Sequence, residues 1–385
     1  MIMHLALAVL MFSATASAQQ IYDLLIKGGQ VIDPADHKQG RFDIAVIGKR
    51  IARVDGDIPA AHARVVIEAD GYYVTPGLID INTHVDICAG GSNVYPDYNA
   101  LRSGVTTVVD AGSSDVNDFE VFKSGVIDRS KTRVLAFLNA EPDAKAAAAM
   151  VEKYPKVLVG LKISNASAHA SAAFNRAMEA ATAAHTIVMV DAAARPDQLE
   201  GLRPGDIYTR IYRQWGKPAG FESVMKSMAA TRGRGVLFDV GAGLNGLWFN
   251  SAAPAIREGL LPDTISTGME KDSMLLPGTN MSLIMSKFLN MGLTFDQIVE
   301  RTTVNAARAI RHSELGSFRE GSPADLALFQ IQQGKFGFLD SGYTRLNADK
   351  RVACVMAVRD GEIVWDSKGL AAEDWIKAGP YSNFK

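Results

Sequence analysis

The segment Pro76-Gly77-Leu78-Ile79-Asp80-Ile81-Asn82-Thr83-His84 decides how the fold of this chain is interpreted. It is a short apolar stretch that ends in polar residues, which is typical of a buried strand. At the carboxyl ends of parallel strands, an α/β barrel exposes side chains to a common site. We therefore expect the end of this strand, with Asn82 and His84, to face a functional site.

The chain from residue 76 to about residue 316 alternates predicted strands with predicted helices. This alternation indicates parallel βα units. The predicted strands are 78–81, 106–110, 133–138, 157–162, 187–191, 207–212, 236–240 and 264–266, and the main predicted helices are 144–154, 171–184, 221–232, 252–258 and 281–291. Eight such strands with intervening helices predict an α/β fold of the (β/α)8 TIM barrel type.

Strand-like segments bracket this region at both ends of the chain. Residues 21–75 include a hairpin at Gly48-Lys49, and the C-terminal segments 325–329 and 352–365 include a turn at Asp360-Gly361. We predict that both ends form one small β-sandwich domain. The predicted boundaries are 19–75 for its first part, 76–320 for the barrel, and 321–385 for its second part and the C-terminal tail.

The composition is that of an ordinary globular protein. The 385 residues are 48% hydrophobic and 21% charged, with a formal net charge of -2. No basic run or interleaved aromatic pattern is present, so we expect no nucleic-acid partner. The expected partner is a small molecule, and a homo-oligomer is compatible with the sequence.

The first 18 residues resemble a cleaved signal peptide. An apolar run, residues 5–12, precedes the small residues Ala16-Ser17-Ala18, although the usual basic start is missing. This pattern predicts a periplasmic or secreted protein, with a buried N-terminal helix as the alternative. The run is too short for a membrane anchor. Cys88 and Cys354 fall in different predicted domains, so we expect them to be unpaired.

A series of short motifs extends over nearly the whole chain after the predicted signal peptide. They are Lys27-Gly28-Gly29, Val31-Ile32-Asp33-Pro34, Val74-Thr75-Pro76-Gly77-Leu78-Ile79-Asp80, Gly104-Val105-Thr106-Thr107-Val108-Val109-Asp110-Ala111-Gly112, Leu202-Arg203-Pro204-Gly205-Asp206, Leu261-Pro262-Asp263-Thr264-Ile265-Ser266, Asn305-Ala306-Ala307-Arg308-Ala309-Ile310, and Leu315-Gly316 to Gly321-Ser322-Pro323-Ala324-Asp325. In this order and spacing, the chain resembles the amidohydrolase superfamily, in particular its dihydroorotase-like and deacetylase-like branch.

This resemblance implies a binuclear metal site at the strand ends. The family places H-x-H after the first strand, a carboxylated lysine after the fourth, histidines after the fifth and sixth, and an aspartate after the eighth. The corresponding positions in this sequence are Asn82, His84, Lys162, Asp191, Arg210 and Gly268. Four of these six positions, Asn82, Asp191, Arg210 and Gly268, therefore depart from the family pattern.

The substitutions argue against the family's metal chemistry. A guanidinium is not deprotonated in a protein, so Arg210 places a permanent cation where a ligand is expected. Without metals nothing would hold a carbamate on Lys162, and we expect a plain amine there. No cofactor is expected. At most one divalent ion, such as zinc, would bind weakly to His84 and Asp191, with Asp86 or Glu270 as a further oxygen ligand.

The replacements are nonetheless polar and are expected to converge. We predict Lys162, Asp191 and His84 as catalytic residues, and Arg210, Asn82, Asn245 and Glu270 as substrate-binding residues. The leading hypothesis is a metal-independent hydrolase or lyase that acts on a small anionic substrate. In it, Arg210 holds a carboxylate, and Lys162 works with Asp191 or His84 in acid-base catalysis or forms an imine.

Two alternatives remain open at this point. In the first, Lys162 and Arg210 bracket Asp191 as a buried ion network, and the protein is a noncatalytic binding or scaffold protein of the same fold. In the second, one retained metal supports hydrolysis of amides, lactones or esters. Burying charges without a use is costly, which favours a working site.

Overall fold

The computed structural model describes residues 21–141, 143–164, 170–191, 196–215 and 221–377, with the backbone alone at 170, 171, 196–198 and 221. The predicted signal peptide, residues 1–18, lies outside the described residues. Within the described part, no helix is long and apolar enough to cross a membrane. Cys88 and Cys354 are both free, as predicted.

Strands from both ends of the chain form one mixed sheet of eight strands. They are β1 (Tyr22–Asp33), β2 (Lys38–Ile47), β3 (Arg50–Asp55), β4 (Ala63–Glu68), β5 (Tyr73–Pro76), β13 (Leu326–Leu339), β14 (Arg345–Arg359) and β15 (Glu362–Asp366). Their order is β15-β14-β13-β5-β1-β2-β3, with β4 beside β1. The antiparallel pairing of β13 with β5 joins the two ends. The sandwich layering and the domain boundaries stay predictions.

A separate, curled parallel sheet of seven strands carries the polar strand ends. Its strands, adjacent in chain order, are β6 (Leu78–Thr83), β7 (Val105–Ala111), β8 (Arg133–Asn139), β9 (Leu158–Ile163), β10 (Ile187–Asp191), β11 (Ile207–Thr209) and β12 (Leu237–Phe238). Each overlaps one of the first seven predicted strands. Strand β11 ends earlier than predicted because Arg210 has a left-handed φ of 59°, which interrupts the extended backbone.

The eighth predicted strand, 264–266, is not a regular strand. This segment instead forms isolated parallel bridges, from Thr264 to Asp239 beyond β12 and from Met269 to Thr83 in β6. Between these two bridges, Gly268 has a left-handed φ of 57°, which is incompatible with a continuous strand. The segment 264–269 therefore contacts both edges of the parallel sheet.

Helices connect and follow the parallel strands. They are α1 (Phe119–Gly125), α2 (Ala144–Lys153), α3 (Ala170–Ala183), α4 (Pro196–Gly201), α5 (Phe221–Gly233), α6 (Phe249–Arg257), α7 (Lys271–Leu275), α8 (Met281–Asn290), α9 (Phe295–Thr302) and α10 (Val304–Ala309). The five main predicted helices overlap α2, α3, α5, α6 and α8. Side-chain caps set two of their starts, because Asp143 accepts from Ala146 N at 2.9 Å and Asn280 accepts from Leu283 N at 3.0 Å.

The alternation of side chains along β10 determines which residues face the site. Ile187 and Met189 lie in a core cluster shared with residues of α10, whereas Val188 and Val190 lie in the cluster that contains the residues of α1, α2 and α3. We call the first face the inner face of the sheet. Because successive strand residues point to opposite faces, Asp191 continues the inner series.

Candidate active site

Lys162 lies near the end of β9 and is almost completely buried, with 3% of the residue exposed. Its side chain passes over Gly112, where an added Cβ would lie only 2.7 Å from the Cβ and Cγ of Lys162. Gly112 also has a φ of +83°, so both space and backbone conformation require glycine there. Burial lowers the pKa of Lys162 to about 8; Asp191 opposes this shift, and Arg210 adds to it. A neutral amine is therefore accessible near physiological pH.

Asp191 and Arg210 form an ion pair at the ends of adjacent strands. Arg210 Nε lies 3.2 Å from Asp191 Oδ2, and each side chain is 21% exposed. The Nε group is buried but makes no hydrogen bond within the described part of the chain, so the contact with Asp191 is electrostatic. The pair reaches the surface of the site, and an N–H of the guanidinium remains for another acceptor.

His84 is held in a defined orientation by a serine. Its Nδ1 lies 3.2 Å from Ser113 Oγ, and that hydroxyl donates to Asn93 Oδ1 at 3.0 Å. Because the serine proton points to Asn93, we assign the ring proton to Nδ1, which leaves Nε2 as an acceptor. Burial lowers the pKa of His84 to about 4, with further contributions from Lys162 and Arg210. The imidazole is therefore neutral at pH 7.

Asn82 already has an internal partner. It is 1% exposed, and its Nδ2 donates to Thr209 Oγ1 at 2.8 Å. One N–H of the amide is therefore engaged within the protein, and the side chain is almost completely buried. The geometry supports a structural contribution, while the substrate-binding role of Asn82 stays a prediction.

Two further predicted substrate-binding residues, Glu270 and Asn245, differ in burial. Glu270 is partly buried at the start of α7; burial raises its pKa, whereas attraction by Arg210 and a hydrogen bond from the backbone of Leu244 lower it. Glu270 thus shares the electrostatic environment of Arg210. Asn245 is exposed in the loop after β12, next to Leu244. The loop lies beside Glu270, but the predicted contact of Asn245 with substrate stays a prediction.

Sequence reasoning missed a buried carboxylate, Asp239, which follows β12. Asp239 Oδ2 accepts from the hydroxyls of Thr209 at 2.5 Å and Ser266 at 2.6 Å, and its Oδ1 accepts from Thr264 at 2.8 Å. These bonds join β11 to the segment 264–269. Its partners are 25 to 30 residues distant, so no local spacing indicates the network.

Asp80 forms a second buried link to the same segment. It accepts from Thr267 N at 3.0 Å and from Thr267 Oγ1 at 2.5 Å. The carboxyl group is fully buried, and burial raises its pKa to about 7. Asp80 was predicted only as part of the first strand. The structure shows that it connects this strand, β6, with segment 264–269.

This burial predicts that Asp80→Asn reduces the dependence of stability on pH. Between pH 4 and 7 the folded protein keeps the Asp80 proton while the unfolded chain, with its pKa of 3.8, loses it. Stability therefore falls as the pH rises through this range, and the neutral amide removes that contribution. The free energy of unfolding in denaturant, measured at each pH, checks this expectation.

Burial also raises the pKa of Asp110, to about 6. Asp110 therefore adds a pH dependence of stability with the same sign, and it remains in the Asp80→Asn variant. The slope of the free energy of unfolding against pH should therefore become smaller in the variant but not reach zero. The matched control is Asp23→Asn, which changes a partly exposed carboxylate near the surface and should leave the slope unchanged. An unchanged slope in Asp80→Asn would contradict the assignment of a proton to this buried carboxyl group.

The residues at the strand ends do not fit the binuclear metal centre that the sequence resemblance implies. In the parts of the chain that the structure describes, no three His, Cys, Asp or Glu side chains are grouped so that they could hold a metal ion. Asp191 contacts the Arg210 guanidinium instead. Asp86, considered as a further ligand, accepts from Cys88 N at 3.0 Å and Ala89 N at 3.3 Å. Of the carboxylates considered as metal ligands, Asp191 therefore pairs with a cation and Asp86 accepts hydrogen bonds from backbone N–H groups.

Comparison with known proteins identifies enzymes with similar sequences and folds. No protein-family model matches the chain. It is 29% identical over 337 residues to a deacetylase of Agrobacterium fabrum, covering 79% of this chain and 82% of the relative. It is 28% identical over 374 residues to a deacetylase of Brucella anthropi, covering 86% and 90%.

Two solved structures have the same fold over most of their length. An adenine deaminase superposes with a TM-score of 0.80 and 25% identity, covering 89% of this chain and 99% of the other. A dihydroorotase gives a TM-score of 0.80 and 25% identity, covering 89% and 98%. The structural similarity therefore extends over most of this chain.

Proposed function

This chain belongs to the amidohydrolase superfamily, and from that premise we propose that it is a metal-independent hydrolase or lyase acting on a small anionic substrate. One observation carries the proposal: the buried amine of Lys162 lies in the electrostatic environment of a partly exposed Arg210–Asp191 ion pair. An amine, a guanidinium and a neutral imidazole together supply a base or nucleophile, an anion-binding group and a proton acceptor.

The contacts favour a working site over a sealed ion network. Such a network requires Lys162 and Arg210 to bracket Asp191. Among the described residues, however, only Arg210 lies within salt-bridge distance of the Asp191 carboxylate. A buried amine without a directly contacting carboxylate costs stability, so a purely structural role would not select it. The exposed fraction of the pair also leaves it accessible to a ligand.

Each group has a defined role in this proposal. Arg210 binds a substrate carboxylate, since a guanidinium presents several donors in a fixed plane. Asp191 orients Arg210 through the 3.2 Å contact. His84, oriented by Ser113, accepts a proton at Nε2. Lys162 acts as the base or nucleophile. The protein needs no cofactor in this scheme.

We also propose that segment 264–269 closes the parallel sheet into a barrel as its eighth strand. Backbone hydrogen bonds support this at both edges, because Val240 N donates to Thr264 O at 3.2 Å and His84 N donates to Met269 O at 2.8 Å. The carboxylates of Asp239 and Asp80 bind side chains of the same segment. Closure would bring His84 next to the strand ends that carry Lys162 and Arg210.

Removal of metal tests this proposal. We expect protein treated with a strong chelator and then desalted to keep full turnover on a panel of small carboxylate-bearing amides, esters, lactones and carbonyl compounds. Metal content is measured on the same sample by mass spectrometry. Loss of turnover on chelation, restored by about one equivalent of zinc, would favour the one-metal hydrolase instead. No turnover on any member of the panel would favour the noncatalytic protein.

A further inference from the structure

We propose that Lys162 forms an imine with the carbonyl carbon of a small 2-oxo acid whose carboxylate binds to Arg210. This inference rests on the proposed function and narrows it to carbonyl chemistry, in which the lysine becomes covalently attached to the substrate. It is carried by the placement of three groups at the carboxyl ends of the parallel strands: the Lys162 amine near the end of β9, the Arg210 guanidinium after β11 and the His84 imidazole after β6.

The first step concerns the amine itself. Lys162 is almost fully buried, and within the described ranges no carboxylate lies within salt-bridge distance of its nitrogen. A nearby like charge, Arg210, further disfavours the ammonium form. Only the neutral amine is a nucleophile, so this environment suits attack on a carbonyl group better than it suits a permanent ion pair.

The second step concerns the anion that accompanies the carbonyl group. The Nε group of Arg210 has no hydrogen-bond acceptor within the part of the chain that the structure describes, although Asp191 holds the guanidinium electrostatically. That group faces Asp191, but the side chain as a whole is 21% exposed, so the terminal N–H groups of the guanidinium can donate to a substrate carboxylate. The left-handed backbone of Arg210, with a φ of 59°, is a further cost that a ligand-binding role would explain.

The third step fixes the spacing between carboxylate and carbonyl. Lys162 is on β9 and Arg210 follows β11, so one strand, β10, separates them. Adjacent strands are about 4.8 Å apart, so β9 and β11 are separated by roughly 10 Å, and two long side chains that converge across this distance leave room for only a few atoms between their tips. A carboxylate bonded directly to the carbonyl carbon matches this requirement. A substrate with a long spacer does not.

The reaction at Lys162 is balanced without any further reactant. The nitrogen lone pair forms a C–N bond to the ketone carbon, and the carbonyl oxygen takes up a proton to give a carbinolamine. This intermediate loses its hydroxyl group, with a second proton, as water, while the nitrogen loses one proton and forms the C=N bond. The net change joins the amine, the 2-oxo acid and one proton from solvent into a protonated imine and water.

Trapping of this imine tests the proposal. The full protein is incubated with pyruvate and sodium cyanoborohydride, which transfers hydride to the imine carbon and fixes a stable secondary amine. We expect one reduced pyruvate adduct per chain by intact-mass measurement, and peptide mapping should place it on Lys162. Acetone serves as the matched carbonyl compound without a carboxylate and should label Lys162 much less.

Lys287 is the internal control that the chain offers. It is also buried, on α8, and burial lowers its pKa to about 8 as well, but its amine donates to Gly278 O at 3.2 Å. Equal labelling of Lys287 and Lys162 would reflect basicity alone and would overturn the proposal. Preferential labelling of Lys162 supports it. In Arg210→Met, we expect labelling by pyruvate to fall by about tenfold or more relative to labelling by acetone, because both compounds react with the same amine and only pyruvate needs the guanidinium.

The result separates this inference from the proposed function. If pyruvate and related 2-oxo acids leave Lys162 unlabelled while a panel substrate is still turned over and Lys162→Met abolishes that turnover, the lysine is an acid-base group. The imine is then wrong and the proposed function stands. If Lys162→Met leaves turnover unchanged and no adduct forms, both are wrong.

Discussion

Replacing Lys162 by methionine is expected to reduce turnover by about 10²-fold to 10⁴-fold while leaving the protein folded, since acid-base catalysis by one side chain typically contributes a factor of this size. Methionine has a similar length and an unbranched, apolar chain, so it fills the space above Gly112. Because it removes a buried amine that has no carboxylate in direct contact among the described residues, the free energy of unfolding should stay constant or increase.

The measurements are steady-state kinetics on the panel substrates and denaturant unfolding of the same preparations. Lys287→Met is the matched control, because it removes another buried amine. That amine donates to the backbone carbonyls of Pro277 and Gly278, between α7 and α8. It should leave turnover unchanged and lower stability. A Lys162→Met protein with undiminished turnover would exclude this residue from the chemistry.

Asp239→Ala is expected to lower the free energy of unfolding by about 3 to 5 kcal/mol, because three buried hydroxyl groups lose their common acceptor. These are the hydroxyls of Thr209, Thr264 and Ser266. They link β11 to segment 264–269, so the substitution weakens the contact between strands that are distant in sequence. Urea or guanidinium unfolding followed by circular dichroism measures the change.

Asp55→Ala provides the comparison for this second prediction. Asp55 is a carboxylate at the end of β3 that pairs with Arg53, and its side chain is 44% exposed. Exposed ion pairs contribute little, so the change in the free energy of unfolding should be much smaller than in Asp239→Ala. A loss in Asp239→Ala as small as that in Asp55→Ala would show that the buried hydroxyls find other acceptors.

Much of the fold could be predicted because its signals are local. The apolar run of β6 and the alternation along β10 depend on neighbouring residues, and all seven strands of the parallel sheet overlap predicted ones. The prediction of a strand at 264–266 was wrong, because only Thr264 forms an isolated bridge there and Gly268, two residues further on, adopts a left-handed conformation. Backbone conformation at a single glycine depends on the surrounding chain and is not determined by periodicity.

The candidate site could be predicted only in part. Lys162, Asp191 and Arg210 were predicted from the resemblance to the amidohydrolase superfamily, which implies site residues at the ends of the parallel strands. The hydrogen bonds of Asp80 and Asp239 could not be predicted, because their partners lie far away in the chain. Thr267, for example, is 187 residues from Asp80. The hydrogen bond from the Asn82 amide to Thr209 could not be predicted for the same reason, since Thr209 is 127 residues distant.

The sequence by itself determined the resemblance to the amidohydrolase superfamily, the order of most strands and helices, and the chemical types of the residues at the strand ends. It also determined one charge, because a guanidinium stays protonated in any environment that a protein offers. The tertiary structure alone decided that Arg210 pairs with Asp191, that the His84 imidazole is neutral, and that the pKa of Lys162 falls to about 8. These properties depend on burial and on distances between charges, and both arise only when strands distant in sequence pack together.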